Sequence, residues 1–136
     1  MEFIRLTLEQ VIELHDQVIN GGELPGLAKD KSIEGALSRI DFRITYGVIK
    51  DIFDLAATYA VVLAQGHVFN DANKRTAYAT LEMCLFLNGE HIQFRTEEVG
   101  DFIIEIAQGH KDENDLATWL RMKRIETLEK EALKGK

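Results

Sequence analysis

Apolar residues recur along the chain three and four positions apart, the spacing that lines one face of a helix. The alternation that marks strands is never sustained for long. The single proline, Pro25, lies between two helical patterns. The pattern therefore predicts an all-α chain of about six helices.

Helix-capping residues set the expected boundaries. Thr7 begins the first helix, because Gln10 three residues later completes a capping box, and Asn20-Gly21-Gly22 ends it. Ser32 and Asp112 are expected to cap the second and the sixth helix. The third, fourth and fifth helices are expected over residues 52–65, 73–87 and 96 to about 109.

The third helix is predicted to be the buried centre of a bundle. Residues 52–65 are apolar nearly all round, and a helix of that kind is normally enclosed by others. Residues 90–95 are expected to form a short extended piece, and the mostly charged residues 126–136 are expected to fray. This predicts one compact domain over residues 1–125, followed by a charged tail.

The composition agrees with a single globular domain. The chain has 136 residues, of which 46% are apolar and 29% charged. The only cysteine, Cys84, excludes an intrachain disulfide and is expected to be buried. The N-terminus lacks the pattern of a signal peptide, and no apolar run reaches the roughly 20 residues that a membrane helix needs. We therefore expect a cytoplasmic protein with no membrane contact.

The charge balance limits the possible partners. The formal net charge is −7, from 23 acidic and 16 basic residues. An acidic domain of this kind is a poor candidate for direct binding of nucleic acid, which relies on positive charge. Any phosphate group must be met by a local cluster of cations and backbone donors.

Such a cluster follows the third helix, where residues 66–76 read Gly-His-Val-Phe-Asn-Asp-Ala-Asn-Lys-Arg-Thr. This loop leads into the N-terminus of the fourth helix, where unpaired N–H groups and the helix dipole favour an anion. Lys74 and Arg75 oppose that dipole, at a cost of about 0.3–1 kcal/mol each. A bound polyphosphate would explain them, because Arg binds phosphate bidentately and Lys as a point charge.

The same loop supplies candidates for catalysis. Asp71 can hold Mg²⁺, which usually takes one or two carboxylates together with substrate phosphates. His67 can take a proton from an attacking hydroxyl, since histidine ordinarily titrates near neutral pH. Asn73 is expected to cap the fourth helix, and Phe69 to anchor the loop in the core.

Taken singly, these residues also have structural interpretations. A histidine after a helix is often a C-terminal cap, and Asp-Ala-Asn is ordinary turn composition. It is the whole set at this spacing that favours chemistry. Of the other histidines, His15 is expected at the core edge or the surface, and His91 and His110 in loops. Neither a zinc-type ligand pattern nor a glycine-rich phosphate loop occurs in the sequence.

The run from His67 to Arg75 resembles the signature of the Fic/Doc family, His-x-Phe-x-Asp-(Gly/Ala)-Asn-(Gly/Lys)-Arg. It is most similar to the Doc branch, which contains toxins of toxin–antitoxin modules. Three further stretches agree with the family: Leu14-His15-Asp16, Gly21-Gly22 with Leu24-Pro25-Gly26, and Phe86-Leu87 followed by Gly89. The resemblance covers about residues 1–125.

The resemblance implies an all-α core of about six helices, with the loop between two central ones. It implies that His67 activates a target hydroxyl as a general base and that Asp71 binds Mg²⁺. The residues implied in holding the nucleotide phosphates, together with the loop backbone, are Asn73, Lys74 and Arg75, and Asn70 is a further candidate.

Two departures from the Fic signature bear on the reaction. AMP-transferases of the family have Gly where this chain has Lys74, and a second Arg where this chain has Tyr78. Doc-like proteins share both changes and resemble kinases that place the γ-phosphate of ATP beside the base. Their target class is translation elongation factor Tu, phosphorylated on a threonine, which halts translation.

The resemblance also implies a protein partner, a small antitoxin whose disordered C-terminal segment folds on this domain. We expect the groove that receives this antitoxin segment to be formed by exposed apolar positions of the first two helices. Two alternatives to a kinase stay open: an AMP-transferase, and a catalytically idle corepressor that only binds the antitoxin. Gln65 comes directly before Gly66 and His67, and the sequence leaves open whether a cation at that position would matter.

Overall fold

A computed structural model describes residues 2–135 of the chain. These residues form six helices, which confirms the predicted all-α architecture. The helices are α1 (Leu8–Val18), α2 (Ile33–Thr45), α3 (Ile52–Gly66), α4 (Asn73–Leu87), α5 (Thr96–Ala107) and α6 (Glu113–Lys134). Between residues 2 and 135, no helix is both long and apolar enough to cross a membrane.

Helix α3 is the centre of the bundle, as its apolar sequence predicts. Every residue from Leu55 to Ala64 is buried. Helix α4 packs most extensively against it, and α2, α5 and α6 surround the rest. The side chains of α3 at positions 56, 57, 60 and 64 are alanines. Because these side chains are small, neighbouring helices can approach α3 closely. The packed central pair α3 and α4 therefore positions both ends of the loop between them.

The predicted caps of three helices are confirmed. The Thr7 hydroxyl accepts a hydrogen bond from Gln10 N at 3.1 Å, and the Gln10 side chain accepts one from Thr7 N at 2.8 Å. The Ser32 hydroxyl and the Asp112 carboxylate cap α2 and α6 in the same way. These local hydrogen bonds explain why the starts of these helices are readable from the sequence.

Two regions near the C-terminus were predicted from composition and spacing. Residues 90–95, the expected extended piece, belong to no helix or strand, and the Gln93 backbone N–H donates to the Thr127 hydroxyl of α6 at 2.9 Å. Helix α6 continues to Lys134, and Thr127 is buried, so the boundary drawn at residue 125 lies inside a packed helix. Lys136, the last residue of the expected tail, lies outside the described residues.

Buried Cys84 agrees with its expected place in the core. Burial raises the pKa of its thiol to about 12. The thiolate, which is the reactive form of cysteine, is therefore strongly disfavoured at neutral pH.

An ion-paired cluster joins α3 to α6. The Arg121 guanidinium donates to both oxygens of Asp51, at 2.9 and 3.1 Å, and to Asp54 at 2.6 Å. Asp51 is also the N-cap of α3. Burial by itself would raise the pKa of Asp51, but the hydrogen bonds from Arg121 and from the first turn of α3 outweigh it and hold this pKa below its ordinary value.

We predict a pH-dependent contribution from Asp51 to stability. Because its pKa is lowered in the folded state, the stabilisation is present above the unfolded-state pKa and is lost as the pH falls through the folded-state pKa. Wild type should therefore exceed Asp51→Asn in free energy of unfolding at neutral pH, and the difference should shrink below about pH 4. Urea unfolding at several pH values measures it. A difference that stays constant down to pH 3 would contradict the assignment.

Candidate active site

The loop between α3 and α4 has an unusual backbone at both ends. His67, which ends α3, has φ of 49°, and Ala72, which precedes α4, has φ of 65°. Left-handed conformations are uncommon for residues other than glycine, and in folded proteins they cluster at functional sites. The two turns reverse the chain between the two central helices.

The left-handed turn at Ala72 leads to a test of this geometry. We expect Ala72→Gly to leave the free energy of unfolding unchanged or to raise it by up to about 1 kcal/mol, because glycine adopts positive φ without strain. Ala72→Val should lower it by at least about 1–2 kcal/mol, because a β-branched residue is a clear outlier at positive φ. Chemical denaturation of the two variants measures the contrast, and equal stabilities would contradict the backbone geometry.

Buried Phe69 anchors the loop, as predicted, and Asn73 holds the Phe69 backbone. The Asn73 side chain accepts from Phe69 N at 3.0 Å and donates to Phe69 O at 2.9 Å. The prediction that Asn73 caps α4 is therefore wrong: the N-cap is Ala72, which makes no side-chain cap bond. The Asn73 amide is occupied by the loop instead, and no cap side chain covers the first turn of α4.

Asn70 ties the loop to a segment before α2. The Asn70 amide donates to Pro25 O at 3.0 Å and to Leu27 O at 3.3 Å. Backbone hydrogen bonds run alongside, from Asn70 N to Gly26 O and from Ala28 N to Val68 O. The segment from Pro25 to Ala28 thus supports the loop from one side. Phosphate binding by the amides of Asn70 and Asn73 stays a prediction, and both amides already have these partners.

Asp71 is half-buried at the turn into α4. One oxygen of its carboxylate, Oδ2, accepts a hydrogen bond from Leu24 N at 2.7 Å. Residues 2–135 contain no group of three or more potential ligands that could enclose a metal ion. A single carboxylate suits Mg²⁺, which usually keeps water and takes its other ligands from substrate phosphates. The residues present therefore fit a metal ion brought in with a nucleotide.

Arg75 is paired with an acidic residue that the sequence analysis did not single out. Its guanidinium donates to the Glu23 carboxylate and to Val18 O, the latter at 2.6 Å. The hydrogen bond from Arg75 lowers the pKa of Glu23, and the same bond raises the pKa of Arg75. Glu23 was not predictable from spacing, because it is far from the loop in sequence.

His15 lies beside the loop, a position that its sequence pattern did not predict. The prediction that it lies at the core edge or the surface is wrong, because its side chain is fully buried beside the loop. Its ring stacks on Phe69 with 3.9 Å between ring centroids, and Nε2 lies 2.8 Å from Asp71 O. One signal could have placed it inward: His15 is four residues after Val11, on the apolar face of α1.

All the sequence-predicted site residues line one cleft with a volume of about 760 Å³. They are His67, Asn70, Asp71, Asn73, Lys74 and Arg75. Ligand pockets commonly have volumes of about 300–1,000 Å³, so the cleft can accept a nucleotide. Its far wall comes from α5, including Ile103 and Ile104, and from Tyr78 of α4.

The ionisable side chains of this cleft differ in whether they have an ion-pair or hydrogen-bond partner. His67 is exposed and Lys74 is exposed, and neither has a hydrogen-bond or ion-pair partner within residues 2–135. The guanidinium of Arg75, in contrast, forms an ion pair with the Glu23 carboxylate. The cleft therefore presents a free imidazole and a free ammonium group beside the carboxylate of Asp71, at the positive end of α4. This arrangement can bind a phosphate chain and accept a proton from a hydroxyl next to it.

Comparison with known proteins agrees with this geometry. A model of the Fic/DOC family matches residues 5–85, which include α1, the loop and most of α4. The chain is also similar to the protein named Protein kinase doc of Escherichia phage P1. The two are 39% identical over 114 residues, which cover 83% of this chain and 90% of the phage protein. With a family match over more than half its length and a relative this similar, the chain belongs to the Fic/DOC family.

Proposed function

We propose that this chain is the toxin of a toxin–antitoxin module and acts as a protein kinase. It transfers the γ-phosphate of ATP to a threonine hydroxyl of translation elongation factor Tu. The observation that carries the proposal is the cleft that gathers His67, Asp71, Lys74 and Arg75 at the N-terminus of α4. Family membership and the similarity to a protein named as a kinase support a group-transfer enzyme with a nucleotide substrate.

Phosphate binding is the first part of the proposed mechanism. The first turn of α4 lines the cleft and has no side-chain cap, and the helix dipole favours negative charge there. Lys74 adds a mobile positive charge, and Arg75 adds a planar, bidentate one. Asp71 would hold Mg²⁺, which neutralises charge on the phosphate oxygens when it is bound.

Proton transfer is the second part. His67 takes the proton of the acceptor hydroxyl as that oxygen forms a bond with the γ-phosphorus. The bond between the γ-phosphorus and the bridging oxygen breaks, and ADP leaves with the electron pair. The products are a phosphorylated side chain, ADP and a proton on His67, which returns to water. His67 is suited to this task because its side chain is exposed to the cleft and has no competing partner among the described residues.

Two residues favour γ-phosphate transfer over AMP transfer, which is the second candidate function. Lys74 puts a long cation in the first turn of α4, where AMP-transferases of the family have glycine. Tyr78 replaces the second arginine of their signature, and its hydroxyl lies 3.5 Å from that of Thr96 on α5. Without that arginine, the cleft lacks the cation that would hold a nucleotide for attack at the α-phosphate.

Arg75 provides a direct test of the phosphate site. We expect Arg75→Ala to weaken ADP binding by about 10- to 100-fold. A loss of this size corresponds to the removal of one charge-assisted hydrogen bond. Arg5→Ala is the matched control, because Arg5 also forms an ion pair with a carboxylate, Asp41, but does not line the cleft. Calorimetric titration with Mg·ADP measures both variants. An affinity that is unchanged in Arg75→Ala would remove this residue from the site.

The proposed antitoxin binds through a C-terminal segment that is disordered when free and folds on this domain. The end of helix α2 offers an exposed aromatic pair for it: Phe42 of the helix and Tyr46, its C-cap residue, are stacked, with 5.8 Å between ring centroids, and are 63% and 73% exposed. A catalytically idle corepressor is the third candidate function. It would need only such a surface, and the complete set of ionisable residues in the cleft favours catalysis instead.

A cell-free translation assay tests the proposed target. Wild-type protein with ATP should stop translation. After the protein has been removed from the reaction, fresh elongation factor Tu should restore translation, whereas fresh ribosomes should not. Restoration by ribosomes alone would point to a different target. Continued translation with a protein that still hydrolyses or transfers from ATP would contradict the toxin assignment.

A further inference from the structure

His15 is a buried polar residue that the proposed chemistry does not use directly. It lies on α1, far in sequence from the loop, and its side chain is fully enclosed. Its imidazole ring is parallel to the ring of Phe69, with an interplanar angle of 5° and 3.9 Å between centroids. An apolar side chain could fill the same space without the desolvation cost of an imidazole. The polar atoms of His15 therefore call for a reason of their own.

The hydrogen bond from Nε2 supplies that reason. Nε2 lies 2.8 Å from the carbonyl oxygen of Asp71, and since a carbonyl can only accept, Nε2 carries the proton and donates it. The other ring nitrogen, Nδ1, is 3.5 Å from the Asp16 carboxylate and forms no hydrogen bond within the described chain. The one hydrogen bond that the ring makes is thus directed at the residue expected to hold the metal ion.

Asp71 is consequently fixed at two points. His15 holds its carbonyl group, and Leu24 N holds its carboxylate through Oδ2 at 2.7 Å. The second carboxylate oxygen, Oδ1, has no partner within residues 2–135, and Asp71 is one of the residues that line the cleft. Hydrogen bonds behind a metal ligand commonly set its orientation and its affinity for the ion.

We propose that His15 is a positioning residue that orients Asp71 toward the magnesium ion of a bound nucleotide. His15 acts through Asp71 and through the stacked Phe69, and it does not touch the substrate. The proposal rests on the proposed function, because it requires that the cleft binds a nucleotide together with Mg²⁺.

Two substitutions separate the hydrogen bond from the packing. His15→Phe keeps a ring that can stack on Phe69, but it removes the donor and leaves the Asp71 carbonyl without its partner. His15→Gln loses the ring but places an amide N–H at the same number of bonds from the backbone as Nε2. A role limited to packing therefore predicts that Phe is the milder change, and a positioning role predicts that Gln is.

The test is the coupling between Mg²⁺ and ADP, measured as the ratio of ADP affinities with excess Mg²⁺ and with a chelator. We expect His15→Phe to lower this ratio by about three- to tenfold, the loss typical of one hydrogen bond. The affinity for metal-free ADP should change less than about twofold, since the phosphate-binding groups are untouched. His15→Gln should keep most of the wild-type ratio, and Asp71→Asn should abolish the coupling.

The outcomes distinguish this inference from the proposed function. If wild type binds no ADP, or if Mg²⁺ has no effect on its affinity, both fail. If wild type and Asp71→Asn behave as expected but His15→Phe keeps the wild-type ratio, the positioning role alone is overturned. An equal loss of affinity with and without Mg²⁺ in His15→Phe would also overturn it, because that is the signature of general disruption.

A measurement on the wild-type protein covers the case in which His15→Phe does not fold. The Nε2–H proton of His15 can be followed by nitrogen-edited nuclear magnetic resonance. We expect its resonance to shift when Mg²⁺ is added to the ADP-bound protein, and to stay in place when Mg²⁺ is added without nucleotide. A resonance that does not respond in the ADP-bound protein would contradict the proposal.

Discussion

Replacing His67 with alanine is expected to lower the rate of phosphoryl transfer by about 10²–10⁴-fold, the usual contribution of a general base. The side chain lies exposed in the cleft and has no partner within residues 2–135, so its removal takes away the proton acceptor and little packing. The binding of Mg·ADP should be nearly unchanged, because the phosphate-binding groups stay in place. The measurement is single-turnover transfer at saturating ATP, with ADP affinity determined in parallel.

The backbone at His67 makes the choice of variants important. Its φ of 49° is left-handed, a conformation that Asn adopts more readily than Ala. His67→Asn should therefore lose the same activity with a smaller effect on stability. His110→Ala is the matched control, because His110 is also an exposed histidine that follows a helix, at the end of α5, but does not line the cleft. Transfer by His67→Asn at more than about a tenth of the wild-type rate would exclude His67 as the base.

The largest loss of stability is expected at Phe69. Phe69→Ala should lower the free energy of unfolding by about 3–5 kcal/mol, the usual cost of truncating a buried phenylalanine. The ring is 2% exposed and stacks on His15, so its removal leaves a cavity under the loop and frees the ring of His15. Transfer activity should fall as well, because the loop that carries His67 and Asp71 loses its anchor.

Urea unfolding of Phe69→Ala measures the loss of stability, and Phe86→Ala is its control. Phe86 is 65% exposed, so truncating it should change the free energy of unfolding by no more than about 0.5 kcal/mol. A loss below about 1 kcal/mol at Phe69 would mean that the loop is not anchored by this ring.

The helices were predictable because their signals are local. The apolar run of α3, the capping box at Thr7 and the cap at Asp112 each depend on residues a few positions apart. The position of the active loop followed from the same signals, since it joins two helices with clear ends. The cations in the first turn of α4 led us to predict a phosphate site there, because they oppose the helix dipole.

The partners of the loop were not predictable, because they come from elements distant in sequence. Glu23 reaches Arg75 across 52 positions, and His15 reaches Asp71 across 56. Asn73 misled for a different reason: asparagine at the start of a helix ordinarily caps it, but here the left-handed turn at Ala72 directs the amide to the Phe69 backbone. The contacts of His15 and Glu23 depend on how α1 and the segment after it pack against the loop, whereas the Asn73 contact is local.

The C-terminal end was predicted from its composition. Residues after Glu126 are mostly charged, which predicted fraying; α6 continues to Lys134, and residues 128–135 are all exposed. Ion pairs between Lys123 and the carboxylates of Glu98 and Glu126 support the helix, and Thr127 is buried against the segment before α5. Helix α6 is thus packed as far as Thr127, and fraying of its last turns stays a prediction.

We propose above that this cleft transfers the γ-phosphate of ATP. Two parallel reactions on purified elongation factor Tu with Mg²⁺ test it most directly, one with ATP labelled on the γ-phosphate and one with ATP labelled on the α-phosphate, each with a His67→Ala control. The account predicts that the protein target gains label from the γ position alone, and that the label is lost in the control. Label from the α position, or γ label that persists without His67, would contradict it.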